Sequence, residues 1–332
     1  MTAQRMSIAC LGAGRMGRGI AVAFAYAGHP VTLIDVKDGR SGEQFEELKA
    51  ETLGEVKSTL ASLARFGLMQ GSDADAVMAK VKVVSSGQSA EALATAGLVF
   101  EGVPEVVELK RAVLRAASRQ VAPGVVIAST TSTILVDDLS GAIAHPQRFL
   151  NVHWLNPAYL IPLVEVSPGA ATDPAVVARV KALLEDIGKV PVICAATPGF
   201  IVPRIQALAM NEAARMVEEG VASAEDIDKA IRYGFGFRYA VLGLLEFIDW
   251  GGGDILYYAS RYLEGALGSE RYRAPEVILR NMREGRIGLR TGAGFLDYSD
   301  LDIEAYRERR LAAMVDMLRH FALARPPVLD KD

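Results

Sequence analysis

The chain is poor in the residues that build metal centres and disulfide frameworks. It has two cysteines and four histidines in 332 residues. They share no ligand spacing, which argues against a structural zinc or any other metal site and against a disulfide scaffold. Cys10 and Cys194 fall in apolar, strand-like runs and read as small buried hydrophobes of a reducing, cytoplasmic compartment. Long hydrophobic runs are missing too. The longer apolar stretches are broken by glycine or charge, so no membrane span is expected. The N-terminus lacks the basic segment and apolar core of a signal peptide. Neither sign of charge dominates: 36 Lys+Arg against 40 Asp+Glu give a net charge of −4. The charges are spread along the chain and leave no basic stripe for nucleic acid. Apolar residues make up 51% of the sequence, enough for a sizeable core, and the length accommodates two domains.

One glycine-rich segment carries the first chemical signal. Met6 to Leu11 is an uncharged apolar run, as a buried parallel strand is. Gly12-Ala13-Gly14-Arg15-Met16-Gly17 follows, and then an Ala/Val/Phe-rich stretch to Gly28. Strand, tight turn and helix form a nucleotide cradle. Gly12 permits the turn, Gly14 lets backbone approach a pyrophosphate, and Gly17 lets the helix pack close to the sheet. The free N–H groups of the new helix face the phosphates. Val31-Thr32-Leu33-Ile34 reads as a second strand ending in Asp35, whose carboxylate accepts hydrogen bonds from ribose hydroxyls and repels a 2′-phosphate. That favours NAD over NADP, with Lys37 and Arg40 close enough to soften the preference. A plain glycine turn in an ordinary α/β domain is the alternative reading.

The first half continues as alternating strands and helices. Ser41 to Met69 and Asp73 to Val81 read as a helical insertion at about 41–80 that projects from the sheet. Further strands are expected at Val81–Val84, Gly97–Phe100, Val125–Ala128, Arg148–Val152, Leu163–Val166 and Val190–Ile193, and helices at Glu105–Val121 and Pro174–Ile187. Beyond Thr197-Pro198-Gly199 only helices are read: Phe200–Glu219, Ser223–Tyr233, Leu242–Trp250, Gly253–Glu264, Pro275–Glu284 and Asp302–Leu323. The tail from Ala324 reads as loose. The expected fold class is α/β: a Rossmann-like, mostly parallel sheet domain over 1–197, then an all-helical C-terminal domain over 198–332.

The second chemical signal is His153-Trp154-Leu155-Asn156-Pro157, followed by Leu163-Val164-Glu165-Val166. His153 is expected just past a strand end, in the ligand crevice, with Glu165 on the next strand. Histidine exchanges protons near neutral pH, and a carboxylate beside it fixes its tautomer and stabilises the imidazolium. Oxidising an alcohol with NAD needs such a base, because the hydroxyl proton leaves as hydride leaves carbon. Ser129-Thr130-Thr131-Ser132-Thr133 offers hydroxyls to a substrate oxygen. Taken singly, a histidine of this kind is more often structural, and a Ser/Thr run is more often a turn with a helix cap at Ser132 or Thr133.

Together these segments resemble the 3-hydroxyacyl-CoA dehydrogenase family. That family has a glycine fingerprint, a Ser-Asn-Thr-Ser-Ser-like run, His-x-x-Asn-Pro, a Val-Glu-Val strand and a Pro-Gly-Phe turn at its domain border. A Glu-Gly-x-x-Ser-x-Glu-Asp-Ile-Asp segment and a closing Lys-Thr-Gly-x-Gly-Phe complete the pattern. This chain carries Glu219-Gly220-Val221-Ala222-Ser223-Ala224-Glu225-Asp226-Ile227-Asp228 and Arg290-Thr291-Gly292-Ala293-Gly294-Phe295, so the resemblance runs along nearly its whole length. It implies NAD, a helical domain that forms a homodimer, and a His–Glu dyad with His153 as base and Glu165 as partner. It also implies that Ser132 and Asn156 hold the substrate and the histidine loop. Glu105 and Lys110, with Ser132, match positions near the nicotinamide ribose. The implied reaction is oxidation of the L-3-hydroxyl of a 3-hydroxyacyl substrate, with 3-hydroxybutyryl-CoA as the first expectation. Lys57, on the insertion, faces either CoA phosphates or solvent.

Two segments depart from the family. Pro203 stands where the Pro-Gly-Phe-x-x-Asn pattern has its asparagine. Proline donates no hydrogen bond, so the Gly199 carbonyl is expected to lose its donor. The alternative is a tolerated kink near the helix start. Gly234-Phe235-Gly236-Phe237-Arg238-Tyr239-Ala240 replaces a Pro-Met-Gly-Pro-like segment. Arg238 resembles the branch that oxidises small free hydroxy acids, as L-gulonate 3-dehydrogenase (lambda-crystallin) and carnitine dehydrogenase do. There an arginine clamps a carboxylate; a surface or interface arginine is the alternative. A crystallin-like NAD-binding protein without turnover is the remaining reading, from outside the enzymes.

Overall fold

The computed structural model describes residues 5–37 and 39–327. An eight-stranded sheet, in the order β3-β2-β1-β4-β5-β6-β7-β8, organises the first part of the chain. The strands are β1 (Ile8–Leu11), β2 (Val31–Ile34), β3 (Val81–Val84), β4 (Leu98–Glu101), β5 (Val126–Ser129), β6 (Phe149–Trp154), β7 (Leu163–Pro168) and β8 (Val190–Ile193). β1 lies centrally, paired in parallel with both β2 and β4. Its four residues are all buried, which explains why its sequence is continuously apolar rather than alternating. The first six strands are parallel; β7 runs antiparallel to β6 and parallel to β8.

Helices cover both faces: α1 (Arg15–Tyr26), α2 (Gly42–Arg65), α3 (Ala74–Met78), α4 (Ser89–Ala94), α5 (Val107–Ser118), α6 (Val136–Ser140) and α7 (Pro174–Asp186). One core cluster joins α1, Leu33, Phe100 and alternate residues of β6 and β7; the other joins Ala9, Leu11, Ile34, Val99 and Phe149 with α5 and α6. Phe24, Phe100 and Trp154 pack tilted or edge-on at centroid distances of 5.5 to 6.0 Å in the first. Removing one such ring costs about 3–5 kcal/mol.

The insertion does not stand away from the sheet as expected. Ser41 caps α2 by accepting from Gln44 N, while Gln44 Oε1 accepts from Ser41 N. A stripe of Thr52, Val56, Leu60 and Leu63 is buried, and its apolar members belong to the core cluster around α1. Cys194 also differs from expectation: it lies just beyond β8 and is half-buried, whereas Cys10 is buried.

The chain divides into two compact units, the first ending at Met210 and the second beginning at Asn211. The border falls inside α8 (Val202–Glu218). The second unit comprises α9 (Ala224–Ala230), a π-helical turn at Ile231–Gly236, α10 (Phe237–Tyr239), α11 (Leu244–Gly251), α12 (Gly253–Leu267), α13 (Glu276–Arg283) and α14 (Ile303–His320). Among the described residues its β-pairing is limited to isolated bridges, between Gly288 and Ala293 and between Ala293 and Asp297. Buried Asp249 ties that loop down, accepting from Phe295 N at 2.9 Å, Leu296 N at 2.8 Å and the Tyr298 hydroxyl. Ala324 to Pro327 have no regular structure, and the rest of the tail lies outside the described residues. Among the described residues, no helix is long and apolar enough to cross a membrane, and no three His, Cys, Asp or Glu cluster as metal ligands.

Candidate active site

The parallel strands bring the loops after β1, β2, β4, β5 and β6 to one carboxyl edge, where open α/β sheets bind ligands. After β1, Gly12 has φ +107°, and a Cβ there would sit 3.1 Å from the Gly102 carbonyl. A Cβ on Gly17 would sit 2.1 Å from the Gly12 carbonyl, so α1 can approach this turn only through glycine. Gly14 meets nothing within 4 Å and caps α1 without a side chain. Arg15 and Met16 form the first turn. Its amides therefore have no side-chain cap and suit an anion.

After β2 comes Asp35, 6% exposed. Its Oδ1 accepts from Lys37 N at 3.1 Å, and its Oδ2 from Arg40 Nε at 2.6 Å. Beside it opens a cavity of about 390 Å3 lined by Val36, Ser86, Leu93, Leu109 and Val113 among others. An apolar slot next to a carboxylate fits an adenine next to its ribose.

After β4 and β5, Glu105 gathers the hydroxyl run. Its Oε1 accepts from Ser132 N at 3.2 Å, Thr133 N at 3.3 Å, the Thr133 hydroxyl at 3.0 Å and the Thr131 hydroxyl. Burial pushes the Glu105 carboxyl up, but the Thr131 hydroxyl, the Lys110 ammonium and the Thr133 hydroxyl together outweigh it and hold the carboxyl below the usual range. Lys110 is 1% exposed. It donates to Glu101 Oε1 at 2.9 Å and lies 3.3 Å from Glu105 Oε2. Glu101, fully buried, also accepts from Val103 N at 2.8 Å and the Ser129 hydroxyl at 2.5 Å. Glu101 was not among the expected site residues; the signal that could have found it is an acid ending an apolar strand nine residues before a lysine.

His153 lies within β6, not beyond its end. β6 and β7 set His153 directly opposite Glu165 in register. Both are buried, and Nδ1 of His153 is 2.7 Å from Glu165 Oε2. The other carboxylate oxygen accepts from Ile201 N at 2.9 Å and Val202 N at 2.8 Å. Those amides are delivered by Gly199 and Phe200, at φ +76° and +44°. For a phenylalanine that conformation is rare and strained. Its ring is 4% exposed and stands 5.5 Å from the His153 ring, centroid to centroid. Phe200, too, was not expected at the site.

Pro203 causes less disturbance than expected. It occupies the first turn of α8, where a backbone donor is not needed. The Gly199 carbonyl is not left free: it accepts from Arg204 N at 3.0 Å. Asn156, on the loop after β6, is exposed and lines a cavity of about 320 Å3 with Arg15, Arg18, Thr59 and Tyr159 among others. Lys189 holds this loop, donating to the carbonyls of Ala158 at 2.7 Å and Ile161 at 2.8 Å. In the second unit, Arg238 is exposed; its Nε donates to the Gly234 carbonyl at 2.9 Å, and its guanidinium lies 4.7 Å from the Phe247 ring centre.

Residues 7–197 match the family of the 3-hydroxyacyl-CoA dehydrogenase NAD binding domain, and residues 199–298 that of the 3-hydroxyacyl-CoA dehydrogenase C-terminal domain. The chain belongs to the 3-hydroxyacyl-CoA dehydrogenase family. The crystal structure of the 3-hydroxyacyl-CoA dehydrogenase of Archaeoglobus fulgidus superposes with a TM-score of 0.76 and 32% identity, covering 96% of this chain and 100% of that one. A 5-formyl-3-hydroxy-2-methylpyridine 4-carboxylate 5-dehydrogenase of Mesorhizobium japonicum is 30% identical over 315 residues, 94% of this chain and 97% of the relative. A lambda-crystallin homolog of Mus musculus is 33% identical over 260 residues, 78% of each chain. Residues 7–197 of this family member are thus an NAD binding domain, and NAD is its cofactor. The glycine turn that excludes Cβ atoms, the uncapped first turn of α1 and the Asp35 slot fit that dinucleotide.

Proposed function

We propose that the protein oxidises the L-3-hydroxyl group of a 3-hydroxyacyl substrate to the 3-oxo product with NAD. The observation that carries this reading is the buried His153 Nδ1–Glu165 Oε2 contact of 2.7 Å at the carboxyl edge of the sheet. A carboxylate on Nδ1 keeps the proton there and leaves the Nε2 lone pair for the substrate hydroxyl. Glu165 then stabilises the imidazolium formed when His153 takes the proton. Ser132, fixed through its amide by Glu105, holds the substrate oxygen, and Asn156 orders the loop next to it. When bound, NAD accepts the hydride. Gly12, Gly14, Arg15, Met16, Gly17 and Asp35 hold its adenosine diphosphate half, and Glu105 and Lys110 border its nicotinamide ribose.

A 3-hydroxyacyl-CoA of the 3-hydroxybutyryl type is the first substrate in this reading. The exposed Arg238 guanidinium supports a second: a small free hydroxy acid whose carboxylate it clamps, in keeping with the carboxylate in the name of the Mesorhizobium relative. The ordered dyad speaks against a crystallin-like protein without turnover. We assign residues 1–197 to cofactor binding and 198–332 to substrate binding and homodimerisation. Ile255, Tyr258 and Tyr262, exposed at 61%, 62% and 73% along α12, support the dimer. NADH formation at 340 nm tests the reading, with NAD and L-3-hydroxybutyryl-CoA, free L-3-hydroxybutyrate, L-gulonate or carnitine. Turnover of the thioester alone assigns an acyl-CoA enzyme, and turnover of a free acid alone assigns the Arg238 branch. No turnover of any, or unchanged turnover in His153→Gln, refutes the assignment of the base.

A further inference from the structure

Asp35 is the only charged residue among the described residues that line the slot beside it. Left to itself, a carboxylate there accepts from both ribose hydroxyls and repels a 2′-phosphate. In this chain it is not left to itself. The guanidinium of Arg40 donates through Nε to Oδ2 at 2.6 Å, and the pair is only partly open, with side chains 25% and 8% exposed. Lys37, exposed, lies two residues after Asp35 and adds a second positive charge to the same turn. Asp38, the other acid in this turn, lies outside the described residues. We propose that Arg40 sets cofactor selectivity and that the Arg40–Asp35 pair lets the dinucleotide site accept a 2′-phosphorylated adenosine ribose as well as an unmodified one.

The chemistry rests on the cofactor assignment and on one exchange of partners. With an unmodified ribose, the hydroxyls donate to Asp35 and Arg40 stays paired to it. With a 2′-phosphate, the guanidinium turns to the phosphate oxygens, which it can bind in bidentate fashion. The repulsion that Asp35 exerts on the phosphate is then met by an attraction of similar size from the same turn. Arg40 can turn without unfolding anything, since it precedes the Ser41 cap of α2 rather than lying within the helix.

The test is binding, read by fluorescence titration of the full chain with NADH and with NADPH. In the wild-type protein the two dissociation constants are expected within about tenfold of each other. Arg40→Gln should weaken NADPH by about tenfold or more and leave NADH within about threefold. Asp35→Asn should move the ratio the other way, toward NADPH, and it needs no contribution from the Arg40 variant to be read. Equal effects of Arg40→Gln on both dinucleotides, or none on either, would overturn the proposal. So would a wild-type protein that binds NADH and not NADPH, while leaving the NAD assignment intact. Binding of neither would overturn both.

Discussion

Glu165→Gln isolates what the dyad contributes, because it removes a charge and barely changes shape. Glu165 makes three contacts: Oε2 with His153 Nδ1 at 2.7 Å, and Oε1 with the amides of Ile201 and Val202 at 2.9 and 2.8 Å. A glutamine has one acceptor oxygen for these two groups. Turned toward the amides, it keeps two hydrogen bonds; turned toward the histidine, it keeps one and sets its NH2 against two N–H donors. At about 1 kcal/mol per bond, and more for a buried donor left unpaired, the first orientation wins. The NH2 group then faces Nδ1, and the proton of a neutral imidazole must move to Nε2. The base has lost the lone pair that should meet the substrate. A histidine held in the wrong tautomer lowers kcat by about 10^3- to 10^4-fold, or roughly 4–5.5 kcal/mol of barrier. Folding should suffer much less, by about 1 kcal/mol, since both amides remain bound. The assay pairs NADH formation at 340 nm with a thermal melt. Activity within about tenfold of wild type in a folded Glu165→Gln protein would refute the argument, because His153 would then hold its tautomer without the carboxylate. Glu165→Ala should differ in kind: it takes the acceptor from two partly buried amides, so stability should fall as well, by about 1–3 kcal/mol.

Other substitutions test other parts of the site. Gly17→Ala puts a Cβ 2.1 Å from the Gly12 carbonyl and must displace α1 or the turn, so NADH affinity and melting temperature should both fall; a variant with unchanged NADH titration contradicts the packing described for this loop. Phe200→Gly and Phe200→Ala both delete the ring over His153, but only glycine accepts φ +44° freely, so the glycine variant should be the more stable by about 1 kcal/mol in urea denaturation. The reverse order would show that the backbone is not held there. Glu105 has its carboxyl below its usual value of 4.5 in the folded protein, so the stability it contributes is present above about pH 4.5 and is lost as pH falls through the lower folded value. Glu105→Gln should therefore flatten part of the acid limb of a melting-temperature profile between about pH 6 and 3, and an unchanged limb would remove Glu105 from that account. Burial pushes the Cys10 thiol up to about 12; burial and the Glu165 carboxylate push the Cys194 thiol up as well, but Cys194 is only half-buried, so a thiol reagent should modify one site, mapped by mass spectrometry to Cys194.

The strands were legible because most are buried apolar runs bounded by turn residues, and the glycine loop was legible because its spacing encodes steric limits that the backbone obeys. Two short helices were not. Ser89–Ala94 and Val136–Ser140 hold too few residues for a helical period to show. The helix expected over Ser223–Tyr233 stops three residues short of the end of the π-helical turn at Ile231–Gly236, and nothing in Ile-Arg-Tyr-Gly-Phe-Gly marks that wider turn. The fate of the Gly199 carbonyl was misjudged because counting i+4 donors assumes regular helix from the first residue. Gly199 and Phe200 both have positive φ, and that brings Arg204, one residue further on, to the carbonyl. The strap over the dyad was illegible for the same reason: no residue preference predicts a phenylalanine at φ +44°.

The placement of His153 shows how tertiary context decides what spacing leaves open. Read along the chain, a histidine between valine and tryptophan can end a strand or continue it. The sheet decides, because β6 must bury Leu150, Val152 and Trp154 with Val164 and Val166 of β7 on one face. Side chains alternate along a strand, so this apolar set turns Asn151 and His153 to the other face, opposite Ser167 and Glu165. A slip of one residue would turn Asn151, His153, Ser167 or Glu165 into the apolar cluster away from their polar partners, and the cost of burying such groups unpaired forbids it. The register that aligns base and carboxylate is therefore imposed by side chains that point away from both. The two catalytic candidates owe their 2.7 Å contact to hydrophobic packing on the reverse of the same two strands.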